Sequence, residues 1–204
     1  VLYGPSGVGK SSVLDAGVRH DVRTRQGQDG VPPLSVVMFS SWKDEPLEAL
    51  AAAIRAELGG GDASATVNGR STERLDRTLH EATAPSGGVL LLIFDQFEEF
   101  FLYHGAEDGS GTFAVEFPRV VRSPDLRVRF LVSIREDALA QLDFFKGRIP
   151  RLFENRLRME LAPGAELLGW DVAALGLPQA GQPFVRGSVQ QHIDSAASLT
   201  HLVD

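Results

Sequence analysis

The string Gly4-Pro5-Ser6-Gly7-Val8-Gly9-Lys10-Ser11 constrains this chain more than any other feature. It fits G-x-x-x-x-G-K-[ST] at every fixed position. A short apolar run, Val1 to Tyr3, precedes it and reads as the end of a buried strand. A segment with helical spacing follows, from Ser11 to about His20 (Val13, Leu14, Gly17, Val18). Each part of the string has a physical task. The glycines let the backbone turn tightly and aim successive N–H groups inward, which makes an anion nest. The helix that opens at about Lys10 to Ser11 turns its positive end toward the same anion. Lys10 supplies a full charge for the β- and γ-phosphates, and Ser11 supplies a hydroxyl for Mg²⁺. Average residue frequencies put a chance match somewhere in such a chain at roughly 1%. The loop therefore predicts nucleotide binding by Gly4, Pro5, Ser6, Gly7, Val8, Gly9, Lys10, Ser11 and Ser12.

The rest of the chain supplies a frame for that loop. Leu34 to Phe39 is a second short apolar run, bounded by Pro32-Pro33 and Ser40-Ser41. Leu47, Leu50, Ala51, Ile54 and Leu58 have the spacing of an amphipathic helix, opened by Asp44 and Pro46 and stopped by Gly59-Gly60-Gly61. A polar connection to Ser71 leads into a helix near Thr72 to Ala82. Val89 to Phe94 is apolar throughout, as a strand covered on both faces requires. Thr112 to Arg122 reads as a weaker helix because Pro118 lies inside it. Val128 to Ile134 is another apolar strand, followed by a helix near Glu136 to Phe145, and Arg156 to Leu161 reads as a short fifth strand. Strands that alternate with helices predict an α/β fold: a three-layer αβα sandwich on a mainly parallel five-stranded sheet. The core is expected over residues 1–161. From Ala162 to Asp204 the pattern fades into a divergent tail rich in Gly, Ala, Pro and Gln. The strand–loop unit begins at residue 1, a Val, so an upstream part is expected.

Val89 to Phe94 ends in Asp95, and ligands of open α/β sheets bind at the carboxyl ends of strands. Asp95 is therefore expected on the edge that carries the phosphate loop, where with Ser11 it would hold Mg²⁺, Asp95 through water. Gln96 follows directly; it can orient water but is no useful base. Glu98 and Glu99 are the candidate bases, and a helix start with acids favoured by its dipole is the competing reading. Arg135 closes the strand Val128 to Ile134 and is a candidate γ-phosphate sensor. The competing reading pairs it with Glu136 or Asp137. Arg148, Arg151, Arg156 and Arg158 form a basic cluster, read first as a solvated face.

Charge and composition narrow the function classes. Lys plus Arg number 20 against 27 for Asp plus Glu, a formal net charge of -7. Such a chain has no general attraction for phosphate backbones, which disfavours non-specific nucleic-acid binding. The absence of cysteine excludes a disulfide scaffold and Cys-based zinc sites, and a cytoplasmic location is expected. No apolar run approaches the 18 or so residues of a membrane span. The five histidines (His20, His80, His104, His192, His201) lack metal-ligand spacing, and Trp42 and Trp170 read as packing residues.

Several strings resemble the STAND NTPases, and more narrowly the bacterial novel STAND group. They are the phosphate loop with Ser11-Ser12-Val13-Leu14, the entry Ser41-Trp42-Lys43-Asp44-Glu45-Pro46-Leu47, Asp95-Gln96-Phe97-Glu98-Glu99-Phe100-Phe101, Ser133-Ile134-Arg135-Glu136-Asp137-Ala138-Leu139-Ala140, and Pro150 to Arg158. The resemblance covers about residues 1–161. It implies an ATP-dependent molecular switch related to AAA+ and apoptotic ATPases, binding MgATP and hydrolysing it slowly. Its core would sit beside sensor and effector regions, fused or separate, and nucleotide-dependent homo-oligomers are expected by analogy. It also implies that the Arg135 strand lies between the phosphate-loop strand and the Asp95 strand. The main alternative is a degenerate nucleotide-binding scaffold. A guanylate-kinase-like enzyme is less favoured, since residues 21–41 hold two arginines and no Tyr. No LSGGQ-like signature of a transporter ATPase and no Asn-Lys-x-Asp of a GTPase is present.

Overall fold

Six consecutive apolar residues, Val89–Phe94, form β3, and Leu90, Leu92, Ile93 and Phe94 are almost fully buried. A strand apolar on both faces needs layers packed over both, and its backbone hydrogen bonds need strands on both edges. In the computed structural model, which describes residues 1–25, 33–58, 75–83 and 88–160, β2 (Leu34–Phe39) lies on one edge and β4 (Val128–Arg135) on the other. β4 pairs in turn with β1 (Leu2–Gly4), and β1 with β5 (Leu157–Arg158). The order is β2-β3-β4-β1-β5, and every pairing is parallel. The five-stranded parallel sheet expected from the sequence is present, with helices packed around it as in a P-loop NTPase sandwich. β4 stands between β1 and β3, the placement that the resemblance implied.

The helical segment after the loop is longer than its apolar spacing suggested. Lys10–Ser12 is α-helical, Val13–Arg19 is a π-helical stretch, and His20–Arg25 is α-helical again. Arg19 and Arg23 both reach Glu57 (2.9 and 2.7 Å), which ties this segment to the helix Pro46–Leu58. That helix opens on proline, whose missing N–H is no loss in a first turn, and buries Pro46, Leu50, Ala51 and Ile54. The helix Leu75–Thr83 buries Leu75, Thr78 and Leu79. Phe113–Val121 forms despite Pro118, because Phe113, Ala114, Phe117 and Val120 are all buried. The expected helix after β4 is a 3₁₀ segment, Glu136–Phe145. Its apolar residues Leu139, Leu142 and Phe145 recur every three, the spacing that a 3₁₀ turn aligns.

Trp42 centres an aromatic core. Its ring lies edge-on to Phe39, Phe97, Phe113, Phe94 and Phe100, with centroids 4.7 to 6.0 Å away. Edge-on pairs add about 0.5–1.5 kcal/mol each beyond area burial, so this cluster anchors the ends of β2 and β3 firmly. Contacts divide the chain after Arg158, and the sheet with its helices belongs to the first unit. The polar connection 59–71, residues 72–74, Leu161 and the tail 162–204, with Trp170, His192 and His201, lie outside the described residues. Among the described residues no helix is long and apolar enough to cross a membrane.

Candidate functional site

The phosphate loop runs from the end of β1 into the first helical turn. Gly7 (φ 74°) and Gly9 (φ 90°) take the left-handed backbone that residues with a Cβ avoid. Neither meets another atom within 4 Å of an added Cβ, so backbone conformation rather than crowding calls for glycine there. The Gly9 carbonyl accepts the Val13 N–H at 3.0 Å and starts the helix. Lys10 curls back over the loop and donates from Nζ to the carbonyls of Gly4 (3.0 Å) and Pro5 (2.9 Å). Pro5, Ser6 and Gly7 are exposed while Val8 is buried and anchors the loop. Ser11 is half-buried and Ser12 exposed.

Parallel pairing brings the other strand ends to this edge. Gly4 stands opposite Arg135 in the β1–β4 register, and Phe94 opposite Val132 in the β3–β4 register. Asp95, one residue past β3, is 3% exposed. Its N–H donates to the Phe39 carbonyl at 2.8 Å. Burial lowers the Lys10 pKa below the ordinary lysine value; Glu98, Asp95 and Asp137 oppose that shift and Arg135 adds to it. Lys10, Asp95, Glu98, Arg135 and Asp137 thus share one electrostatic neighbourhood, assembled from three strand ends.

The acidic turn separates the two candidate glutamates. Gln96 is exposed and takes φ 52°, a left-handed conformation unusual for a residue with a side chain. The helix Glu98–His104 starts immediately afterwards. Glu98 Oε2 accepts the backbone N–H of Arg135 at 3.2 Å, and Glu98 is among the charges that act on Lys10. The helix-start reading of these acids holds, and Glu98 is tied to the end of β4 as well. The Arg135 guanidinium is exposed and bound in two-pronged fashion by Asp137, through Nε–Oδ1 (3.0 Å) and Nη2–Oδ2. That pairing raises its already high pKa, and Glu98 adds to it.

The basic cluster is spent on local partners. Arg148 lies over the Phe144 ring at 5.1 Å and Arg156 over Phe153 at 5.8 Å. Arg151 pairs with Glu154 and Arg158 with Glu136. Two features of the site escaped sequence reasoning. The Trp42 indole N–H donates to the Asp95 carbonyl at 2.7 Å. Ser133, fully buried on β4, has a side-chain oxygen without a hydrogen-bond partner among the described residues. A hydroxyl breaking the apolar run Val128 to Ile134 was the available signal for Ser133; nothing local marks Trp42 as a donor.

The residues present fit a nucleotide with a magnesium ion. Exposed loop amides, an ammonium parked on two carbonyls, and a buried carboxylate beside it form an unequal donor set. Among the described residues no three His, Asp or Glu gather to hold a metal by themselves. Such a site matches Mg²⁺, which takes one or two protein oxygens and fills its octahedron from phosphates and water.

Comparison with known proteins places these observations. Residues 152–196 match the UreD urease accessory protein family. The chain is 71% identical over 41 residues to UreD of Albidiferax ferrireducens and 66% identical over 41 residues to that of Variovorax paradoxus. Each match takes in 20% of this chain and spans only 15% of the relative's length. Among solved structures, the Aeropyrum pernix ORC2 protein in its ADPNP–ADP complexes superposes with a TM-score of 0.55 at 16% identity, over 78% of this chain and 41% of that one. The Aeropyrum pernix ORC1 protein in complex with DNA gives 0.56 at 23% identity, over 78% of this chain and 38% of that one. These likenesses are of fold. The family model of Novel STAND NTPase 1 matches residues 1–163, the stretch that holds the whole sheet, the phosphate loop and the acidic turn, and the chain belongs to that family.

Proposed function

We propose that residues 1–163 bind MgATP and hydrolyse it slowly, as the nucleotide-gated switch of a signalling protein. The observation that carries this reading is the β3-β4-β1 order, which brings the phosphate loop after Gly4, the strand end at Asp95 and Arg135 to one edge of the sheet. Family membership supports it, and so does the fold shared with ORC2, a protein solved with ADPNP and ADP. The amides of residues 5–11 and the positive end of the following helix cradle the phosphates. Lys10 leaves the Gly4 and Pro5 carbonyls for the β- and γ-phosphates. Ser11 and Asp95 would hold Mg²⁺, which would supply neutralisation of phosphate charge. Glu98 orients the attacking water and receives its proton; its carboxylate, tied to the Arg135 end of β4, supports this choice. Gln96, directly after Asp95, can hold water in place but takes no proton. Arg135 exchanges Asp137 for the γ-phosphate and so registers its presence.

Around this core we place sensor and effector regions, a cytoplasmic location and nucleotide-dependent self-association, all by analogy with the family. The UreD-like stretch spans 15% of the proteins it resembles. The match covers too small a share of those proteins for any UreD activity to be proposed for this chain.

Titration of the full chain with a fluorescent ATP analogue, with Mg²⁺ and in EDTA, tests the reading alongside phosphate release over hours. Saturable binding strengthened by Mg²⁺, with slow release, is the expected result. Binding without release supports the scaffold alternative instead, and absence of binding overturns the proposal.

A further inference from the structure

Trp42 is fully buried among five phenylalanine rings, yet it also spends its one polar group. Nε1–H donates to the backbone carbonyl of Asp95 at 2.7 Å. That carbonyl belongs to the peptide that joins Asp95 to Gln96, whose φ of 52° is costly for a residue with a Cβ. Strained turns persist when the surroundings over-determine them, and this one is held from both sides. The Asp95 N–H is fixed by Phe39 on β2 at 2.8 Å, and the Phe97 N–H by Ser133 on β4 at 3.0 Å. The Trp42 bond is the one side-chain member of the set. Trp42 also reaches the far end of the segment: its own carbonyl accepts from His104 Nε2 at 2.6 Å. His104 closes the helix that Glu98 opens, and its ring is oriented by Glu107 at 2.9 Å. One residue therefore bridges the start and finish of residues 95–104, the stretch that carries both acidic groups facing Lys10.

We propose that Trp42 is a positioning residue for the metal side of the nucleotide site, holding the acidic turn so that Asp95 and Glu98 meet the metal-bearing phosphates. The inference rests on the nucleotide reading above. It separates two halves of that site. The loop amides and Lys10 grip phosphate without Trp42, whereas the gain in affinity contributed by Mg²⁺ depends on it.

The test compares nucleotide affinity in EDTA and in Mg²⁺ for the full chain and for Trp42→Phe, which keeps an aromatic ring and removes the donor. Affinity in EDTA stays within about twofold, and the Mg²⁺-dependent gain falls about tenfold, the effect of one buried carbonyl left without its donor. An unchanged gain overturns the proposal, and so does an equal loss in EDTA and Mg²⁺, which marks a general packing role. His104→Phe, which removes the outer bond, lowers the gain about threefold, while His104→Gln, which retains a donor, preserves it. This pair decides the matter if Trp42→Phe does not fold; equal gains in the two histidine variants then overturn the proposal. A wild-type chain that binds no nucleotide in either buffer overturns the nucleotide reading itself and this inference with it.

Discussion

Replacing Lys10 by Met probes the phosphate grip with the least disturbance to shape. In the structure the ammonium donates to the Gly4 and Pro5 carbonyls at 3.0 and 2.9 Å. On nucleotide binding it exchanges these for phosphate oxygens. Attraction to one phosphate charge at about 4 Å, with an effective dielectric constant of about 20, comes to about 4 kcal/mol. Release from two loop carbonyls costs about 1 kcal/mol apiece, since water replaces the ammonium there. The net is about 2 kcal/mol, or a loss of about 30-fold in ATP affinity for Lys10→Met. The assay is a fluorescence titration in EDTA at low salt, with a urea denaturation curve for each protein to show that both are folded. Added salt narrows the difference, because part of the attraction passes through solvent. A loss of less than about threefold in a folded variant refutes the reasoning, since the charge would then lie away from the phosphates.

Glu98→Gln lowers single-turnover phosphate release by about 100-fold, and Glu99→Gln leaves it near the wild-type rate; the reverse order would show that the turn faces the other way. Asp137→Asn frees Arg135 from an exposed ion pair, a kind that solvent weakens. It raises ATP affinity by about threefold and leaves ADP affinity unchanged, as a paired titration reads. His104 contributes a pH dependence. Burial works against its charged form, but hydrogen bonds to Glu107 and the Trp42 carbonyl, and the charges of Glu107 and Glu45, raise its pKa above the ordinary value. A raised folded-state pKa stabilises the fold fully below about pH 6.5, and that stabilisation is lost as pH rises through the folded value. The urea midpoint of the wild type, taken relative to that of His104→Gln, therefore falls between about pH 6 and pH 8; the lowered pKa of the Val1 amino group, which works in the opposite direction, is common to both proteins and cancels.

Elements whose signal is local were readable in the chain. Val89–Phe94 and Leu34–Phe39 appear as strands with the bounds of their apolar runs, and Pro46 opens its helix. The phosphate loop was legible because glycine at φ 74° and 90° leaves a mark in sequence. Gln96 leaves none: its left-handed turn is imposed by bonds from Trp42 and Ser133, residues 54 and 37 positions away along the chain. The choice between Glu98 and Glu99 was open for the same reason, since helical residues one position apart differ only in what tertiary packing sets before them. The 3₁₀ form of Glu136–Phe145 depends on a spacing of three that an amphipathic α-helix also tolerates. Past residue 161 no period guided the reading, and there the UreD likeness came from residue identity alone.

A crystal structure of the full chain with Mg²⁺ and a non-hydrolysable ATP analogue tests the account most directly. It should place the phosphates against the amides of residues 5–11, Lys10 turned away from the Gly4 and Pro5 carbonyls, and the metal between Ser11 and Asp95. Phosphates bound elsewhere, or a metal on the phosphates with the Asp95 carboxylate turned from it, would contradict the account.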